Sequence, residues 1–212
     1  MNQEKKAFRQ QHKTSVLLRN IMKSSEEKDQ VSVGEFIAAL GDRSFCLAVL
    51  VFSLPNSLPV PGIPGFSTIT GLPITFIAMQ MVLGRKSLWL PKKIAAKRFS
   101  SRGLAKMLAK AIPTVERLEK LLKPRWLPLT SSIGERFLGV LMVVLSLIIA
   151  LPIPGGNFLP GLSMSLVALA MLERDGMFLL FAATFAIAGI IFMYEIIIGF
   201  FGWVGTHLGK LF

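Results

Sequence analysis

The side chains that could do chemistry are few: Arg43, Asn56, Gln80, Arg136, Asn157 and Glu195, with the dense charged turn Glu173-Arg174-Asp175. Each stands in or beside an apolar run. An ionisable group in such a place is costly, so it marks a functional position by default. Asn and Gln supply hydrogen-bond donors and acceptors without charge, and the arginines attract an anionic group or hold Glu173 or Glu195. This is the chemistry of binding rather than of bond-breaking. Cys46 is the sole cysteine, and the two histidines, His12 and His207, sit far apart in sequence. Neither a metal cluster nor a Ser-His-Asp arrangement therefore has a centre. No Gly-rich loop ends in Gly-Lys-Ser/Thr, so nucleotide hydrolysis is unsupported. The expectation is a protein that is not an enzyme and uses no cofactor and no metal.

The elements that must position these groups come in two copies. The stretch from Leu40 to Gly62 returns as Ile133 to Gly155: Gly41, Arg43, Pro59, Pro61 and Gly62 recur as Gly134, Arg136, Pro152, Pro154 and Gly155, and Asp42 recurs as Glu135. After a short slip, Gly71-Leu72, Ala78 and Met81 answer Gly161-Leu162, Ala168 and Met171. Each copy is a charged collar, an apolar arm, a Pro-Gly break and a second apolar arm. This is the pattern of an internally duplicated membrane protein.

Composition agrees. Hydrophobic residues make up 52%, and the mean hydropathy is +0.59, high for a soluble domain. The net charge is +12, and the basic residues flank uncharged blocks instead of mixing with them. That is how cytoplasmic faces meet anionic lipid, and it argues against a nucleic-acid binder. Ser44–Ser57 and Gly71–Gly84 are each about 21 Å long as helix, at ~1.5 Å per residue, short for a hydrocarbon core of ~30 Å. Pro55, Pro59, Pro61 and Pro64 between them cannot lie in one helix. Two arms meeting at a Pro-Gly tip inside the membrane predict a re-entrant or broken hairpin; the alternative is a pair of thin full spans with an external loop.

The predicted organisation follows. Residues 1–30 form a polar cytoplasmic tail, helical at most in part, with no signal-peptide h-region. Residues 31–90 form the first repeat, led in by a capping box at Ser32 and Glu35. Residues 91–128 form a basic amphipathic linker, surface-lying on lipid, with Leu104, Leu108 and Ile112 on one face and Pro113 kinking or dividing it. Residues 129–176 form the second repeat, with Ser132 and Glu135 as its lead-in. Residues 177–212 carry a C-terminal transmembrane helix. The fold class is all-α integral membrane, with two repeated broken or re-entrant hairpins and interfacial helices.

The chain resembles the ExoD family of bacterial inner-membrane proteins, over roughly residues 30–205. The resemblance rests on Gly41-Asp42-Arg43-Ser44-Phe45, Leu54-Pro55-Asn56, Pro59-Val60-Pro61-Gly62, Gly71-Leu72-Pro73 with Gln80, Leu83-Gly84-Arg85 and Trp89-Leu90-Pro91. It continues through Pro152-Ile153-Pro154-Gly155-Gly156-Asn157 and Glu173-Arg174-Asp175-Gly176. It implies a multi-pass protein of the inner membrane with a role in exopolysaccharide production, and says little about chemistry. More loosely, the Pro-x-Pro-Gly tips are similar to the DedA family of re-entrant-hairpin proteins linked to lipid flipping. Where that family has an acidic residue after the break, Ile63 and Gly156 stand here.

Three functions fit these observations: a transporter-like protein that binds or moves a small solute or ion, a lipid or polysaccharide-precursor handling protein, and a non-transporting partner of an exopolysaccharide assembly. The expected partners are anionic lipid head groups, an unidentified small solute and a second copy of the chain. Gly189, Gly199, Gly202 and Gly205 would let the last helix approach that copy.

Overall fold

The computed structural model describes residues 13–58, 66–151 and 157–208. The predicted hairpin breaks, Pro59, Pro61, Gly62, Pro152, Pro154 and Gly155, lie outside the described residues.

Helix α1 (Thr14–Glu26) is followed by a short strand β1 (Gln30–Ser32) and helix α2 (Val33–Leu40). The predicted capping box is formed: Glu35 N–H donates to Ser32 Oγ at 3.1 Å, and Ser32 N–H donates to Glu35 Oε2 at 2.8 Å. At Gly41, with φ +58°, the chain bends by 118° into α3 (Arg43–Ser53), which passes into a 3-10 turn at Leu54–Ser57. Then come α4 (Phe66–Val82), α5 (Lys92–Ala95), β2 (Arg98–Ser100), α6 (Ser101–Leu121), a second 3-10 turn (Leu127–Thr130), α7 (Ser132–Ala150), α8 (Phe158–Leu172) and α9 (Gly176–Leu208). The N-cap of α7 falls on Ser131, whose Oγ accepts from Gly134 N–H at 3.5 Å, one residue before the predicted lead-in.

Among the described residues two helices, over Ile133–Ala150 and Gly176–Gly199, are long and apolar enough to cross a membrane; the bent pair α2–α3 would make a third. The protein is accordingly an all-α membrane protein, with one small sheet added. Its main core gathers Phe45, Val49, Ile74, Met81, Met142, Leu145, Met164, Val167 and Ala182 from α3, α4, α7, α8 and α9. α4 runs antiparallel along α7, Gly71 meeting Ala150 and Val82 meeting Gly139. α3 runs antiparallel along α8, Ser53 meeting Ser165 and Asp42 meeting Arg174, with α9 against α8. Glycines set the closest crossings. A Cβ on Gly71 would stand 2.9 Å from Ala150 N, and one on Gly139 would stand 2.9 Å from Val82 N. Small residues of this kind let backbones approach where lipid offers no hydrophobic driving force.

A second core lies at one end of this bundle. Leu18 and Ile21 of α1 pack with Val31, Leu40 and Leu104, Leu108 and Ile112 of α6. Thr14–Glu26, read as part of a polar tail, is thus a helix with a buried stripe. The apolar face of α6, expected to lie on lipid, is covered by α1 and α2 instead. Burial is non-directional, and Leu18, Ile21, Val31 and Leu40 supply the apolar surface that covers this face. Pro113 does not divide α6: it sits on the exposed side, where Ala109 one turn back is exposed as well, so the lost backbone bond costs little. β1 and β2 pair antiparallel, with Val31 opposite Phe99. Strands of three residues carry no legible periodicity, and they were not expected. We call α1, α2, α5, α6 and the sheet the cap.

Candidate functional site

The bundle has two polar ends. The first is where α3 leaves through its 3-10 turn and where α4 and α8 begin. Pro55 opens the 3-10 turn, and this tightening turns Asn56 inward until it is 6% exposed. Its Nδ2 donates to Phe52 O at 2.9 Å and to Thr70 Oγ1 at 3.0 Å. Ser165 of α8 lies between Ser53 and Ser57, with Oγ–Oγ distances of 2.7 and 2.9 Å. Thr75 donates to Ser146 at 2.8 Å, and Thr68 donates to Ala150 O at 2.9 Å. Gly161 admits the approach: a Cβ there would lie 2.7–2.9 Å from Asn56 atoms. Asn157, one turn earlier on α8, is half-buried, and its Oδ1 is buried with no hydrogen-bond partner. Among the described residues only Ser101 Oγ shares that condition. A buried acceptor left unsatisfied costs roughly 1–3 kcal/mol, which a donor on a bound solute would recover. Among the described residues this end holds hydroxyls and amides and no acid or base, so the chemistry it offers is hydrogen bonding.

The second polar end is charged and joins bundle to cap. Glu173, at the C-cap of α8, accepts from Thr14 Oγ1 at 3.0 Å. Glu119 of α6 accepts from Ser15 N–H at 2.7 Å and Ser15 Oγ at 2.8 Å, with Lys13 Nζ at 4.0 Å. Arg43 is half-buried in the field of Glu173, Asp42, Arg174 and Glu119. Burial pushes the Glu173 carboxyl above the usual range, with Glu119 adding to the rise; the Thr14 hydroxyl, Arg43 and Lys13 oppose it. Arg174, at φ +52°, pairs with Asp42 at 2.6 Å. Asp175 is 2% exposed and accepts from Lys123 N–H at 2.9 Å and Phe178 N–H at 3.2 Å, with Arg125 at 3.8 Å. It caps α9 and fastens the segment after α6.

The predicted site residues are therefore divided. Asn56 and Asn157 share the first end. Arg43 joins Glu173, Arg174 and Asp175 at the second, some 20 Å away along α3 at ~1.5 Å per residue. Gln80 is buried there too, but both ends of its amide hold Trp89: Oε1 accepts from Trp89 N–H at 2.8 Å, and Nε2 donates to Trp89 O at 3.2 Å. Arg136 is exposed and lies against Gly84, where a Cβ would come within 2.5–2.9 Å of the guanidinium. Glu195 is exposed on α9. Ser53, Ser165, Thr14 and Glu119 were missed. Ser53 had a signal, since it recurs as Ser146 in the second copy; Thr14 and Glu119 had none, being distant in sequence.

No solved structure matches this chain. A family described as "Exopolysaccharide synthesis, ExoD" matches residues 14–195. An uncharacterized protein of Synechocystis is 29% identical over 172 residues, 81% of this chain and 81% of the relative. Protein ExoD of Rhizobium meliloti is 31% identical over 160 residues, 74% of this chain and 66% of the relative. The match runs from the first turn of α1 to Glu195, so it takes in both the cap and the bundle, and the chain belongs to the ExoD family, which is linked to exopolysaccharide synthesis.

Proposed function

We propose that this protein is a multi-pass inner-membrane protein without enzymatic activity that binds a small polar solute at the uncharged end of the bundle. The observation that carries the reading is the buried, unpaired Asn157 Oδ1. It stands one turn from Gly161, which crosses Asn56, and beside a seam of hydroxyls from Ser53, Ser57, Thr70 and Ser165. The solute would carry a hydrogen-bond donor. α4 and α8 both begin at this end and add backbone N–H groups for its acceptors.

The architecture is transporter-like in that two copies of one unit face each other there. In the repeat alignment Thr75 corresponds to Ser165 and Ser146 to Ser53. The Thr75–Ser146 bond at 2.8 Å thereby has its counterpart in Ser165–Ser53 at 2.7 Å. The ends of the second arms correspond as well. Gly84 N–H donates to Met81 O and Arg85 N–H to Gln80 O; Arg174 N–H donates to Met171 O and Asp175 N–H to Ala170 O. Both copies then run in the same direction, as parallel repeats about an axis along the membrane normal.

The test is Asn157→Ala, scored for restoration of exopolysaccharide output in a deletion strain, for membrane insertion and for thermal stability. Output should be lost with insertion and stability unchanged. Full restoration would overturn the reading, and so would failure to accumulate, since the side chain would then be structural.

A further inference from the structure

The cap carries a second feature that the solute site does not use. Between α2, β2 and the start of α6 there is a cavity of about 290 Å³, lined by Phe36, Phe99, Ser100, Gly103, Leu104 and Met107. Its walls are nearly all hydrocarbon. Phe36 and Phe99 meet edge to face with centroids 6.3 Å apart, and Met107 is 54% exposed at the mouth. The volume sits at the lower edge of small-molecule sites, ~300–1,000 Å³, and the apolar lining favours a hydrocarbon chain over a polar group.

The surroundings are cationic. Arg98 precedes Phe99 in β2, and Arg102 and Lys106 stand one position round α6 from Gly103 and Met107; all three are exposed. The acid nearest in sequence, Glu35, is occupied by Ser32 and by Lys28 at 3.4 Å. One wall of the cavity is α2, the helix that bends at Gly41 into α3 of the apolar bundle.

We infer that this slot holds one acyl chain of an anionic membrane lipid, with the head group against Arg98, Arg102 and Lys106. The chain is placed by apolar fit and the charge by three flexible cations at the rim, the usual division of labour at a membrane surface. This site is separate from the solute site, so either can fail without the other.

Gly103 provides the test. A Cβ there meets nothing nearer than Ser100 Cβ at 4.0 Å, so Gly103→Leu fills the slot without displacing backbone. The full chain in a non-ionic detergent is titrated with cis-parinarate, a fluorescent anionic probe with a single plain hydrocarbon chain. Wild type should bind it saturably, and Gly103→Leu and Met107→Gln should each weaken binding about tenfold, the loss of a few buried methylenes. The triple change Arg98→Ala, Arg102→Ala, Lys106→Ala should weaken it similarly and remove its salt dependence. Leu121→Gln, on the same helix outside the slot, should have no effect. Unaltered binding in both slot variants would overturn the proposal. An equal loss in Leu121→Gln would also overturn it, because the probe would then be coating exposed apolar surface.

Discussion

Thr14 Oγ1 donates to Glu173 Oε1 at 3.0 Å, and this bond ties the first turn of the cap helix to the end of a bundle helix 159 residues later. Thr14 is wholly buried, and Arg43, Glu119 and Lys13 are the charges that face the carboxyl. Because burial raises the native pKa of Glu173, its neutral form is favoured in the folded state. Its effect on stability is therefore most favourable below the ordinary Glu value of ~4.3. Stability falls as pH climbs from there through the raised native value. Glu173→Gln keeps a carbonyl acceptor for Thr14 and cannot ionise. The variant should match wild type at low pH and be the more stable above that window, measured as melting midpoints across pH in detergent. Parallel curves would refute the assignment.

Gly139 lies with a would-be Cβ 2.9 Å from Val82 N, where α7 crosses α4. Backbone cannot yield there as a side chain could. Gly139→Leu should cost about 1–3 kcal/mol through overpacking, read as a lower melting midpoint. Gly199, with nothing within 4 Å, supplies the comparison: Gly199→Leu should leave the midpoint unchanged.

Asp175 accepts two backbone N–H groups and faces Arg125 from a buried position. Hydrogen bonds to a charged group are worth about 1.5–3 kcal/mol each, so Asp175→Ala should lower stability by about 3 kcal/mol. The same change should expose the segment around Lys123 to limited proteolysis. A variant of normal stability but no function would instead move Asp175 into the binding machinery.

Lys93 follows the first bundle pair and Asp175 the second, and both stand on the cap side with most of the exposed cations. By the positive-inside rule that side is expected to face the cytoplasm. Reporter fusions after either residue should give a cytoplasmic signal. A periplasmic signal after Lys93 would reverse one copy relative to the other and remove the parallel arrangement.

Much of this was legible from the order of residues alone. Long uncharged runs beside basic collars specify a membrane protein, because apolar length and flanking charge are local properties. Ser32 and Glu35 announced their capping box for the same reason. The recurrence of Gly71 as Gly161 marked two close crossings, since a helix face that must meet backbone tolerates no Cβ. Tertiary structure alone decided which polar groups meet. Arg43 and Asn56 are both in or next to one helix, yet that helix carries them to opposite ends of the bundle. Gln80 looked like a free amide in an apolar arm, but the chain returning after Gly84 brings Trp89 back to saturate it. The amphipathic face of α6 was equally plain, but hydrophobic burial is non-directional. Whether lipid or protein would cover Leu104, Leu108 and Ile112 depended on α1, more than eighty residues away, arriving with Leu18 and Ile21 to fit them.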